Sequence, residues 1–183
     1  MELKKCEYNS CLSRSLSLSL YIYMYMCVCV CVCVCVCVRA FLSCFQDLKK
    51  PLLDYRPKLQ GTTFQESLGS MYDKSVRVEG MISDLANCFN ASEAALETAK
   101  QASPLAMADL ATALVMEFTG LAGVLGKHYA LKSGTNEEVA ECIFESVLPR
   151  KAGDLLPASQ AGALLAMSDR SASNVLFHVH LSV

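Results

Sequence analysis

Three side chains in the second half of the chain have types suited to site chemistry, His128, Asp154 and Asp169, with Asp109 upstream of them. Imidazoles and carboxylates from separate helices can hold a divalent metal and the water it activates for attack on a phosphate ester. One known helical arrangement of such a centre uses a histidine, an adjacent His-Asp pair and a later aspartate. No His-Asp dipeptide occurs in the 183 residues, and Asp109 follows Ala108, where a ligand would be required. The metal site therefore reads as lost. His128 beside Tyr129 reads as a satisfied structural histidine, Asp154 as a turn or capping residue, and Asp169 as a residue near a helix end. His178 and His180 stand at i, i+2, a weak metal signal. Cys88 and Cys142 lie singly on helix patterns with no base beside them, so they read as buried, inert thiols. Gly120, Gly123 and Gly126 lack the spacing and the preceding strand of a dinucleotide loop. Each glycine weakens a helix by about 1 kcal/mol against alanine, so the run marks a turn or a close approach by another backbone or a ligand. Lys127, Arg150, Lys151 and Arg170 can form a small patch for phosphate contact; the alternative is a solvated face.

The elements that must position these residues are helices. Thr62-Thr63 can cap a long helix from about Phe64 to Phe89, with Phe64, Leu68, Met71, Val78, Ile82, Leu85 and Phe89 on its apolar stripe. Pro57 should end any helix before it. Asn90 or Ser92 caps a short helix through Gln101. Ser103-Pro104 opens another that runs to about Phe118, burying Leu105, Leu110, Leu114, Val115 and Phe118. Thr135-x-x-Glu138 reads as a capping box for a helix over Glu137–Leu148, ended by Pro149. Ala152-Gly153-Asp154 is a turn, and Ser159 caps a last helix over Gln160–Arg170. No strand pattern occurs outside the repeat tract described next, so the globular part is expected to be all-α.

Residues 1–44 have a different character. Ser15–Val38 runs through Ser-Leu, Tyr-Ile/Tyr-Met and Cys-Val repeats. Strict alternation is a strand signal, and the length and apolarity also suit a membrane span of roughly 20 residues. Each dipeptide is also what a dinucleotide repeat encodes, in one consistent phase, so the simplest account is a translated microsatellite. On a strand the six cysteines would share a face open to soft metals, but the C-x-x-C pairing of zinc sites is missing. The segment also lacks the small-residue end of a secretory signal and the Arg/Ser-rich amphipathic pattern of a transit peptide. Nine of the eleven cysteines lie in residues 1–44, which leaves no disulfide framework downstream. With twelve Lys/Arg against sixteen Asp/Glu in Phe45–Arg170, the globular part has no overall basic footprint, and any nucleic-acid contact must be a local patch. Three segments follow: 1–44 low-complexity, 45–170 helical domain, 171–183 divergent tail.

Phe64-Gln-Glu-Ser-Leu-Gly-Ser-Met-Tyr-Asp-Lys74 with Arg77 resembles a segment of the β subunit of bacterial-type glycyl-tRNA synthetase. The likeness continues through Ala108-Asp109-Leu110-Ala111-Thr112, Glu117-Phe118, Gly123-Val-x-Gly126 and Tyr129-Ala130. It extends over Pro149-Arg150-x-x-Gly153-Asp154, Leu156-Pro157 and Ala166-x-x-Asp169-Arg170, covering roughly Phe45–Arg170 in order. The resemblance implies a degenerate HD-like helical domain that helps hold tRNA(Gly) and performs no chemistry. Catalysis, with ATP and Mg, would belong to an α subunit or a fused α region, in a dimeric or heterotetrameric enzyme. No cofactor is then expected in this segment. A plant-like organellar version, in chloroplast or mitochondrion, fits the leader and the Ser-Met-Tyr-Asp-Lys stretch. Lys127, Arg150, Lys151 and Arg170 become the expected tRNA contacts. Past Arg170 the chain departs from the family pattern, so His178 and His180 carry no family meaning. Two alternatives are a stand-alone HD-type metal phosphohydrolase and a membrane-associated helical protein.

Overall fold

The computed structural model describes the backbone of residues 26–27 and 29–180, and side chains among these as far as Ser173. It divides into Met1–Ser43 and Cys44–Val183. The expectations for residues 15–25, and for the side chains of His178 and His180, lie outside what is described.

Helix α1 covers Cys29–Asp47, where alternation predicts a strand. A lone strand leaves its backbone N–H and C=O groups without partners, whereas a helix satisfies them internally. A two-residue step turns about 200° around a helix, so alternation places the cysteines on both sides and creates no apolar stripe. Cys29, Cys31, Cys33, Cys35 and Cys37 are all exposed and free. By length and composition the 19-residue α1 could cross a membrane, with mean hydropathy 2.1 over an 18-residue stretch of it.

The unit from Cys44 to Val183 is helical apart from one small ribbon. A 3-10 helix, Leu52–Gly61, comes first. Its roughly three-residue period turns Leu52, Tyr55 and Leu59 inward, and Pro57 lies inside it rather than ending it. Strands β1 (Thr63–Gln65) and β2 (Gly69–Ser70) pair antiparallel. They occupy the place of the expected first turns of a helix from Phe64. Helix α2, Met71–Cys88, starts seven residues later because Ser70 and Asp73 form a reciprocal cap, Ser70 N–H donating to Asp73 Oδ2 at 2.7 Å. Helix α3 is Glu93–Ala102, capped by Ser92.

The expected helix from Ser103 to Phe118 is broken into turns, a 3-10 segment Ala108–Ala111, and α4, Ala113–Glu117. The cause is a distant side chain. The buried Asp47 carboxylate accepts from Ala113 N–H at 2.9 Å and Leu114 N–H at 3.0 Å, starting a new helix there. Leu114 and Val115 are buried as expected, but Phe118 is not. Helix α5 is Val124–Lys132 and α6 is Glu137–Ser146; α6 is capped by Asn136, not by Thr135. Helix α7, Gln160–His180, continues past Arg170, through a stretch with no Gly or Pro to stop it. Ser159 caps it as expected, accepting from Gly162 N–H at 2.9 Å. The core lies where α2, α3, α6 and α7 meet, on Val78, Ile82, Ala99, Ile143, Leu164 and Leu165. The all-α reading stands, with the short ribbon as its exception.

Candidate functional site

The glycine run and Asp109 explain each other. Asp109 is 1% exposed, and its Oδ2 accepts from Gly123 N–H at 2.6 Å. Burial pushes its carboxyl up to about 6, against the opposing pull of backbone N–H groups of Gly123, Gly126 and Leu110. Gly123 has φ +78, and a Cβ there would meet Val147 Cγ2 at 2.7 Å. A Cβ on Gly126 would stand 2.9 Å from Asp109 Oδ2 and 3.0 Å from Ile143 Cγ2. Gly126 is thus required by close approach to a carboxylate, one that belongs to the protein rather than to a ligand, and Gly123 by its positive φ and the Val147 side chain.

A cavity of about 120 Å³ lies beside Asp109, lined also by Lys74, Asp169, Met71, Met107 and Ser146. Lys74 is only 8% exposed, its Nζ 2.7 Å from Asp169 Oδ1 and 5.0 Å from the Phe64 ring centroid. The contact is an ion pair off hydrogen-bond geometry, so Asp169 Oδ1 has no hydrogen-bond donor among the described residues. Asp169 therefore sits within α7 as the counter-ion of a buried ammonium, not near a helix end. Two carboxylates, one ammonium and no imidazole line this space. The ammonium already supplies the positive charge that a divalent metal would bring, so the donor set does not fit one.

The remaining candidates are dispersed. His128 is exposed on α5, while Tyr129 turns inward, 5% exposed, its hydroxyl donating to Asp47 Oδ2 at 3.3 Å. The satisfied structural side chain of the pair is thus the tyrosine, whose hydroxyl is held well above its usual range by burial and then by Asp47. Asp154 turns its loop as expected, accepting from Arg150 N–H and Leu155 N–H, both at 2.9 Å; these bonds hold its carboxyl below the usual range. Cys142 is fully buried and its thiol is pushed up to about 12 by burial and then by Glu145. Cys88, expected buried, is exposed at the last residue of α2.

Of the four basic residues, two are loop clamps. Arg150 donates to Gly120 O at 2.9 Å and Ala122 O at 2.7 Å. Arg170 donates to Ala166 O at 2.8 Å, Leu148 O at 2.7 Å and Pro149 O at 3.2 Å. Arg170 therefore grips the loop that carries exposed Lys151, and Arg150 ties that loop to the 120–122 segment. Lys127 is apart from them, paired with Glu141. Sequence reasoning missed Asp47, Lys74 and Glu145 as organising groups, because each acts on partners far along the chain.

Comparison with known proteins gives one consistent result. The family model described as "Glycyl-tRNA synthetase beta subunit" matches residues 44–179. The chain is 44% identical over 124 residues to "Glycine--tRNA ligase, chloroplastic/mitochondrial 2" of Arabidopsis thaliana, covering 68% of this chain and 12% of that protein. It is 45% identical over 130 residues to a glycine–tRNA ligase beta subunit of Desulforamulus reducens, covering 71% and 19%. With its counterpart in Halothermothrix orenii the identity is 38% over 138 residues, covering 75% and 20%. The chain thus spans between 12% and 20% of the length of these relatives.

Proposed function

The chain belongs to the glycyl-tRNA synthetase β-subunit family, and from that premise we propose that it is an RNA-facing helical module of a glycine–tRNA ligase, serving translation. The observation that carries this is the match over 44–179, which takes in the packed helices from α2 into α7. In this reading the module is a degenerate HD-like domain. Its cavity supports that, since it holds Lys74 against Asp169 where the metal chemistry of the HD superfamily would need ligands. ATP, Mg and glycine are used in an α subunit or fused α region, and tRNA(Gly) is the shared substrate. The Arabidopsis relative, a chloroplastic/mitochondrial ligase, supports an organellar setting, chloroplast or mitochondrion, for the full enzyme.

The tRNA contacts proposed from the sequence are Lys127, Arg150, Lys151 and Arg170. Because Arg150 and Arg170 also hold backbone carbonyls, alanine at either would disturb the loop as well as any RNA contact. The test is therefore Lys127→Gln with Lys151→Gln in the intact ligase. Weaker tRNA(Gly) binding and a shallower salt dependence are expected, since lost phosphate contacts release fewer counterions. Unchanged affinity and slope would reject these contacts. The purified chain alone is expected to show no aminoacylation with ATP, Mg, glycine and tRNA(Gly); measurable turnover would overturn the view that catalysis resides elsewhere.

A further inference from the structure

Folding gathers a second set of cations that no sequence motif marks. Leu52 N–H donates to Ser133 Oγ at 3.1 Å, joining the segment after α1 to the end of α5 across 81 residues. That bond brings Lys49 and Lys50 beside Lys132 around a cavity of about 240 Å³. An adjoining cavity of about 390 Å³ shares Asp47, Lys49, Lys50 and Tyr55 with it and adds Lys58. All four lysines are exposed, and no ion pair is recorded for any of them among the described residues, unlike Lys74 and Lys127. The one carboxylate lining both cavities is Asp47, 3% exposed and occupied by the N–H groups of Ala113 and Leu114. It offers the lysines no open counter-ion. Asp54, exposed near Tyr55, lines neither cavity. In a globular part with more acidic than basic residues, four clustered cations facing a single buried carboxylate keep an excess of positive charge and attract a polyanion.

An aromatic ring stands beside the lysines. Phe45 is 61% exposed, with Lys49 Nζ 5.7 Å from its ring centroid. Lys58 Nζ lies 4.2 Å from the Tyr55 ring, whose hydroxyl is spent on Asp47 O. Cations along a groove with an open ring at its margin match a nucleic-acid strand, whose phosphates take the ammonium groups while a base stacks on the ring. We propose that Lys49, Lys50, Lys58 and Lys132 form a binding cleft for RNA phosphates, with Phe45 as its stacking platform. This rests on the RNA-facing role proposed above and locates a contact surface separate from the Arg150 loop.

The test is fluorescence anisotropy of the full chain with labelled tRNA(Gly) transcript over a salt series. The Lys49→Gln/Lys50→Gln/Lys58→Gln/Lys132→Gln variant should lose affinity by about tenfold or more, and its log–log salt slope should fall by about 3, at 0.7–0.9 per phosphate contact. The four lysine-to-arginine replacements should retain binding, which separates lost charge from lost folding. Phe45→Ala should weaken binding to single-stranded RNA more than to duplex RNA. Lys100→Gln, at an exposed position of α3, serves as the control for a general charge effect. Wild-type affinity in the four-glutamine variant, with weakened Lys127→Gln/Lys151→Gln, would overturn this cleft and leave the RNA-facing role standing. No RNA binding by the unaltered chain would overturn both. Loss of binding to phosphatidylserine vesicles with RNA affinity unchanged would assign the cleft to a lipid surface and overturn the proposal.

Discussion

Asp109 is held against Gly123 and Gly126 at the cost of desolvating a carboxylate, and that cost depends on pH. Its folded-state value of about 6 lies above the ordinary 3.8. The fold thus favours the protonated form, so this group's contribution to stability is full below about 3.8 and is lost as pH rises through about 6. A shift of that size corresponds to about 3 kcal/mol. Asp109→Asn should remove that dependence: relative to the unaltered protein, the variant should gain up to about 3 kcal/mol between pH 4 and pH 7, read by urea unfolding at both. A difference that does not move with pH would show that Asp109 is not the titrating group. Gly126→Ala should destabilise by about 1–3 kcal/mol, since the new methyl meets both Asp109 and Ile143. These glycines were legible as a signal of close approach. What approaches them was not, because Asp109 lies 14 residues upstream of Gly123 in a segment whose pattern reads as continuous helix.

At the scale of elements, several boundaries are set by carboxylates from elsewhere in the chain. Asp47 starts α4, and Glu145, 5% exposed near the end of α6, receives Ala158 N–H at 2.9 Å, Ser159 N–H at 3.2 Å and the Ser159 hydroxyl at the start of α7. Glu145→Gln turns one acceptor into a donor facing other donors, and should cost about 2 kcal/mol in a denaturation experiment. Arg170→Lys replaces a fork that serves four carbonyls by a single ammonium. It should speed amide exchange in the 147–157 loop while leaving α2 and α3 protected; unchanged exchange there would refute the clamp. Local caps such as Ser92 and Ser159 were readable from sequence because their partners lie within three residues. The Ser70–Asp73 cap was obscured by Thr62-Thr63, an equally good capping pair that the chain uses in a ribbon instead.

The molecule as a whole keeps its stability in the helical packing. Leu164→Ala, at a site 1% exposed, should cost about 2–5 kcal/mol. Leu156→Ala, at a site 72% exposed in the loop before α7, should change stability by less than about 0.5 kcal/mol, measured under the same conditions. A large loss at Leu156 would mean that this loop is buried in a larger assembly.

The sequence alone determined the helical class, most of the helix set and the family, because three- and four-residue periodicity and short-range caps are local properties, and family motifs are strings in order. It also marked Asp154 as a loop residue and Cys142 as a buried thiol. Only the tertiary structure decided that Asp169 answers Lys74, that Asp47 divides one expected helix, and that Arg150 and Arg170 fasten loops. The same holds for Lys132, which the Leu52–Ser133 and Tyr129–Asp47 bonds bring beside Lys49 and Lys50. Each of these joins groups more than 20 residues apart, at separations where periodicity holds no information and packing alone selects the partner.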